Sequence, residues 1–172
     1  MEILSKSEIR KIILGKRLRL SPEDIALKSA KIVEMIRNDK NYKASKVVGI
    51  YMPTQNEINL LDLLKDDKVF CVPKIINKGL VFSKVDEDTK FKEAKFNILE
   101  PVKIDEVIEI DFLLVPAVAI FNCHRLGFGG GYYDKYLSKY RPKYVVGVIY
   151  DFQHVEFFYE DHDQKLDYYF KG

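Results

Sequence analysis

Apolar residues recur at helical spacing in the first part of the chain, then give way to short continuous apolar runs. Ile9, Ile12 and Ile13, with Leu20 beyond them, stand among charges and predict an amphipathic helix over residues 6–19. The chain restarts at Ser21, a good N-cap, followed by Pro22 at the favoured first helical position and Asp24 near the positive end of the dipole. A second helix is predicted from there to about residue 37, with Ile25, Ile32, Val33 and Ile36 facing inward. Residues 38–45 are polar and read as a loop.

The period then changes. Residues 46–51, 69–72, 112–115 and 144–149 are apolar runs of the kind a parallel sheet buries on both faces. Pro73 and Pro116 are expected to end two of them. Residues 80–85 alternate like an outer strand, and residues 166–170 predict a last strand. A short amphipathic helix is predicted at 58–65, and another runs through residue 140 after a glycine cluster. Buried strands alternating with helices predict an α/β fold: a three-layer domain with a mainly parallel, Rossmann-like central sheet and helices on both faces. Residues 1–172 are expected to form one such domain, with the helices of residues 1–40 packing on the sheet. Ligands of such sheets lie beyond the C-terminal strand ends, which directs attention to the loops 52–57, 73–79 and 116–131.

Composition narrows the classes. The 172 residues are 47% hydrophobic and 31% charged, the profile of a globular chain rather than a disordered one. No apolar run approaches the ~20 residues that a membrane-spanning helix needs. Charges throughout residues 1–19 argue against a secretory signal, and Glu2 and Glu8 against a transit peptide. Cys71 and Cys123 are far apart, which argues against a disulfide scaffold and a zinc ribbon, and cytoplasm is the expected compartment. His124, His154 and His162 share no metal-site spacing.

The net charge of +2 is unevenly distributed. Residues 1–46 hold 12 of the 28 Lys and Arg against 6 of the 26 Asp and Glu, leaving 16 against 20 for the rest. A basic segment on a mildly acidic body suits an anionic partner, or a solvated helix face. An RNA contact through this segment is the weaker reading, because Tyr42 is its only aromatic residue.

The densest chemistry lies at residues 125–134: Arg125, Leu126, Gly127, Phe128, Gly129, Gly130, Gly131, Tyr132, Tyr133 and Asp134. Glycines before a helix free backbone N–H groups for an anion, Arg125 adds a bidentate cation, and Asp134 could hold a divalent ion bridging phosphates. The dinucleotide fingerprint fails, because Tyr132 and Asp134 occupy positions where it needs glycine. A P-loop fails for want of a Gly-Lys-Ser/Thr triplet. A phosphate cradle and a plain glycine turn before an aromatic helix both remain open on spacing alone.

The run 125–134 resembles the signature of the 5-formyltetrahydrofolate cyclo-ligase family, also called 5,10-methenyltetrahydrofolate synthetases. Further segments match in order: Lys6, Ser7, Glu8, Ile9 and Arg10; residues 51–57; Glu100 and Pro101; residues 145–153; and Asp163 with Asp167. Three departures stand out. The 121–125 turn is about two residues shorter and lacks the family's glycine, Asn97 replaces a glycine, and residues 157–159 lack a proline.

The resemblance implies a ligase that converts 5-formyltetrahydrofolate to 5,10-methenyltetrahydrofolate, consuming ATP and releasing ADP and phosphate. It implies Arg125 and Asp134 as catalytic residues. It assigns ATP to Lys6, Ser7, Glu8, Ile9 and Arg10 and to Arg125, Leu126, Gly127, Phe128, Gly129, Gly130, Gly131, Tyr132 and Tyr133. It assigns the folate to Met52, Glu57, Phe128, Gly129, Gly130, Gly131 and Tyr132, and magnesium to Asp134 and Asp163. The implied partners are 5-formyltetrahydrofolate and MgATP, acting on a monomer, with no nucleic acid and no membrane. Another ATP-dependent phosphotransferase on a similar sheet is the alternative.

Overall fold

The computed structural model describes residues 2–160 and 163–172. Asp161 and His162 therefore lie outside the described residues. Six strands form the central sheet in the order β10-β9-β6-β1-β2-β3, with β1 Val47–Gly49, β2 Val69–Ile76, β3 Gly79–Val85, β6 Phe112–Pro116, β9 Tyr144–Ile149 and β10 Tyr168–Lys171. All neighbours are parallel except β2 and β3, which form an antiparallel hairpin at one edge. This is the mixed α/β architecture expected. Alternate residues of the inner strands are buried on opposite faces, which explains their continuous apolar character. Val48, Phe70, Phe112, Leu114, Val146 and Val148 meet Ile32, Val33 and Ile36 of α2 Pro22–Arg37 and Tyr42 of α3 Lys40–Ala44. Cys71, Leu113, Val115, Val145 and Ile149 meet Tyr136 and Leu137 of α4 Tyr132–Lys139.

The first helix, α1 Lys6–Leu18, packs elsewhere. Its Ile9 and Ile13 pack with Val118, Ala119, Leu126 and Phe157, around a small hairpin made of β7 Ala119–Phe121 and β8 His124–Leu126. The inward row is Ile9, Ile13 and Arg17, whereas Ile12 is 43% exposed. A cation therefore occupies a position expected to be apolar or surface.

Four local expectations are corrected. Residues 38–45 are not a loop: Asp39 accepts from the N–H groups of Asn41 and Tyr42 and starts α3, whose Tyr42 is buried. The expected helix at 58–65 narrows to a 3-10 turn, Leu61–Lys65. Residues 119–126, expected within a loop, form the β7–β8 hairpin; Asn122 and Cys123 have φ of 50° and 61°, the two left-handed residues of a two-residue hairpin turn. The shortened 121–125 turn is thus a tight two-residue reversal made without glycine.

Pro73 does not end β2. It pairs with Phe82 in the antiparallel ladder, while the last register pair with β1 is Gly49–Cys71. Successive N–H groups of a strand point to opposite sides. The Pro73 nitrogen therefore faces the side on which β1 has already ended, where no N–H is needed. Two residues on, the Ile75 N–H reaches Glu100 Oε2 at 2.9 Å on that side. Glu100 lies in β5 Leu99–Pro101, which pairs with β4 Phe91–Glu93 in a small separate sheet.

The β2–β3 hairpin turns on Asn77 and Lys78, with φ of 50° and 63°. Left-handed backbone is unfavourable for lysine and free for glycine. Lys78→Gly creates the favoured Asn-Gly turn and should stabilise the protein by about 0.5–1 kcal/mol. Urea denaturation measures this, and an unchanged or lower midpoint refutes it.

Candidate functional site

The strand order reverses direction between β1 and β6, the place where an open parallel sheet presents a crevice. A cavity of about 440 Å³ lies there, beyond the C-terminal strand ends. All three loops singled out from the sequence reach it: Met52, Thr54, Gln55 and Glu57 after β1; Pro73 and Ile75 of β2; and Pro116 with the glycine loop after β6.

The glycine loop is shaped by its neighbours. A side chain at Gly127 would put a Cβ 2.8 Å from the Arg125 guanidinium, and one at Gly130 would meet the Tyr132 ring at 2.7 Å. Gly129 and Gly131 have φ of +105° and +69°, and Gly131 caps α4 in the left-handed conformation. The loop thereby delivers the N-terminus of α4, with Asp134 in its first turn, to the cavity wall. Arg125 lies 4.7 Å from the centroid of the Tyr133 ring, and its Nε donates to Pro116 O. Arg10 Nε donates to Gly127 O at 2.8 Å and ties α1 to the loop. Burial pulls the Arg125 pKa down, against the opposing influence of Tyr133, Asp134 and Glu57. Guanidinium is so strong a base that it stays cationic.

Glu57 is the most constrained polar group of the cavity. It is 6% exposed. Its Oε1 accepts from the Thr54 N–H at 3.0 Å, while Oε2 is buried without a hydrogen-bond partner. Burial raises its pKa to about 7, and Arg17, the Thr54 N–H and Arg125 resist the rise. Glu57 thus lines the cavity while its Oε2 is a buried acceptor with no donor.

The cavity brings together Arg10, Met52, Glu57, Arg125, Gly127, Phe128, Gly129, Gly130, Gly131, Tyr132, Tyr133 and Asp134. The remaining expected residues sit outside its lining. Ile9 and Leu126 are core residues. Ser5 and Glu8 form a capping box at the start of α1, which occupies the Glu8 carboxylate. Lys6 and Ser7 are exposed on the first turn of α1. Asp163 Oδ2 accepts from the Glu160 N–H at 3.0 Å in a local turn. No group of three or more His, Cys, Asp or Glu gathers to hold a metal among the described residues. His124 stacks on Tyr159, ring centroids 3.7 Å apart.

The sequence assigned no site role to Arg17, Tyr51, Phe96, Glu100 or Tyr150, which stand around this site, although Tyr51, Glu100 and Tyr150 fall in the matching segments. Glu100 stands in the cavity wall and Lys74 Nζ donates to Pro101 O at 2.7 Å, so two buried charges fasten β5 to β2. Arg17 was legible only as the i+4 successor of Ile9 and Ile13, a cation on an otherwise apolar row.

Three comparisons bear on this geometry. A family model described as the 5-formyltetrahydrofolate cyclo-ligase family matches residues 2–170. The Mycoplasma genitalium protein named 5-formyltetrahydrofolate cyclo-ligase is 31% identical over 173 residues, covering 96% of each chain. The solved structure of Aquifex aeolicus 5,10-methenyltetrahydrofolate synthetase superposes with a TM-score of 0.83 at 34% identity, over 96% of this chain and 89% of that one. The Mycoplasma pneumoniae 5,10-methenyltetrahydrofolate synthetase structure gives 0.77 at 27% identity, over 96% and 98%.

The raised pKa of Glu57 carries a stability consequence. Between pH 4.5 and about 7 the unfolded carboxyl loses its proton while the folded one keeps it, so this group's contribution to stability falls as pH rises through that window. Glu57→Gln removes that loss. Relative to the parent, the variant should gain stability by about 3 kcal/mol between pH 4 and pH 8. Chemical denaturation of both proteins at the two pH values checks this, and a pH-independent difference refutes it.

Proposed function

The chain belongs to the 5-formyltetrahydrofolate cyclo-ligase family, and on that premise we propose that its cavity closes 5-formyltetrahydrofolate to 5,10-methenyltetrahydrofolate at the expense of ATP. The observation that carries the reading is the pairing, around one cavity, of an unpaired buried carboxylate with a glycine loop, two arginines and a helix N-terminus. The first suits the donor edge of a pterin, and the second suits a polyphosphate.

A formamide is a poor electrophile. Attack of the formyl oxygen on the γ-phosphorus of ATP makes a P–O bond, breaks the bond to ADP and leaves an iminium phosphate. The N10 nitrogen then attacks the formyl carbon, the C–O bond to phosphate breaks, and N10 loses its proton. Each step is favoured by positioning and by cations near the moving phosphoryl group, with no nucleophilic residue required.

Arg125 would lie against the phosphates, held at Nε by Pro116 O and stacked on Tyr133. Arg10 and the loop N–H groups would bind the same anion, with Lys6 nearby on the first turn of α1 adding long-range attraction. Glu57 would accept from the pterin while Met52, Phe128 and Tyr132 cover its ring. Asp134 would hold a magnesium ion, since magnesium commonly takes only one or two protein carboxylates. Bound there, magnesium would neutralise charge on the transferring phosphoryl group. Asp163, engaged in its own turn, is the weaker candidate for the second carboxylate. The alternative, another phosphoryl acceptor on the same sheet, is separated by whether ATP hydrolysis depends on added 5-formyltetrahydrofolate.

Purified protein supplied with 5-formyltetrahydrofolate, ATP and magnesium should accumulate the methenyl product, followed by its absorbance. Omitting any one of the three should abolish it. Product formed without ATP refutes the phosphorylation route. Asp134→Asn should fold with little change in melting temperature and lose about a hundredfold or more in turnover, partly recovered at high magnesium. Undiminished turnover in that variant removes Asp134 from the metal site.

A further inference from the structure

Arg17 is 1% exposed, less than any other charged residue described, yet it does not line the cavity. Its Nε donates to Gln55 O at 3.1 Å, and its own carbonyl accepts from Asn56 Nδ2 at 3.0 Å. Nη2 is buried with no hydrogen-bond partner. The guanidinium carbon stands 5.5 Å from the centroid of the Phe128 ring.

What Arg17 grips is a strained turn. The Glu57 N–H bonds to Thr54 O at 3.0 Å, and the two residues between, Gln55 and Asn56, have φ of 49° and 60°. These are the marks of a mirror-image turn dominated by Gly, Asn and Asp; Asn56 suits it, and Gln55 is the residue held there against its preference. The turn persists because it is held from outside. Arg17 takes the Gln55 carbonyl, Tyr150 Oη donates to Asn56 O at 2.8 Å, and Asn56 reaches back to α1. Glu57 is the residue this turn delivers, and its Oε1 closes the turn on the Thr54 N–H.

We propose that Arg17 is the positioning residue of the folate pocket: it clamps the 54–57 turn from α1 so that the Glu57 carboxyl is held in the cavity wall. Arg17 makes no ion pair within 4.0 Å of Glu57, so it acts through the turn and through its charge. The groups facing Glu57 are two cations, Arg17 and Arg125, and three phenols, Tyr51, Tyr133 and Tyr150, which burial keeps neutral. Of the two cations, Arg17 exerts the larger pull on the carboxyl. The same helix carries Arg10 to the glycine loop, so one rigid rod fixes both walls of the cavity. The proposal rests on the reading of Glu57 as the pterin acceptor.

The test compares Arg17→Met, Arg17→Lys, Glu57→Gln and the double variant Arg17→Met/Glu57→Gln by steady-state formation of the methenyl product across pH. Arg17→Met should raise KM for 5-formyltetrahydrofolate about tenfold or more, the scale of one lost charge-assisted contact, and change KM for ATP about twofold at most. The acid limb of kcat/KM for the folate should move up by about one pH unit, because a carboxylate without its cation holds its proton longer. Arg17→Lys should leave that limb in place while still raising KM, since lysine keeps the charge and loses the planar contact to Gln55. In the Glu57→Gln background, Arg17→Met should add little.

Equal rises in both KM values with an unmoved acid limb, or full multiplication of the two effects in the double variant, overturns the proposal. If Arg17→Met does not fold, an unchanged folate KM in Arg17→Lys overturns it. An unimpaired Glu57→Gln enzyme sinks the pterin reading, and this proposal with it. An impaired Glu57→Gln enzyme beside unaffected Arg17 variants sinks this proposal alone.

Discussion

A carboxylate buried in a cavity wall with one oxygen unpaired is costly, and much of the site's construction answers that cost. Glu57 holds one backbone N–H for itself. Its remaining support is indirect: the charges of Arg17 and Arg125, neither of which closes an ion pair on it. Such an arrangement leaves that oxygen without a hydrogen bond. A salt bridge would have satisfied the carboxylate more fully and blunted it toward any ligand. The strained turn at 54–57, the buried guanidinium behind it and the tyrosine hydroxyl on Asn56 all serve to keep that oxygen where it is.

The sheet supplies rigidity for this. Its four inner strands are buried on both faces, between α2 and α3 on one side and α4 on the other. The loops leaving β1 and β6 therefore start from fixed points and diverge around the cavity. α1 is not part of either layer. It packs on the β7–β8 hairpin and reaches the two cavity walls with two arginines seven residues apart, each binding a backbone carbonyl through Nε. Both guanidinium groups are thus oriented by the same kind of contact, with their remaining N–H groups uncommitted in that bond.

The small sheet of β4 and β5 completes the enclosure through polar anchors. Glu100 takes the N–H that β2 cannot pair past the end of β1, and Lys74 takes the carbonyls that follow. An edge left open by the shortness of β1 is covered in this way. The same geometry lets Pro73 stand inside β2 without a missing bond.

The inner strands, the two long helices with the Ser21 cap of the second, and the glycine loop before α4 were legible in the sequence, because each depends on local period or on residues a few positions apart. The family signature at 125–134 was legible for the same reason. Residues 38–45 and 119–126 were misread where one side chain or one turn decided the outcome: Asp39 capping α3, and two left-handed residues without glycine reversing the hairpin. The inward row of α1 was misread because Arg17 counts as a surface residue until a carbonyl from another loop meets it. Which charges are buried, and which oxygen of Glu57 is left free, depends on contacts between segments roughly 40 residues apart or more, and these form only when the chain is folded. The sequence by itself determined the fold class, the family and most of the elements. The tertiary structure decided which of the charged residues share one cavity, because burial and long-range hydrogen bonding have no local period to read.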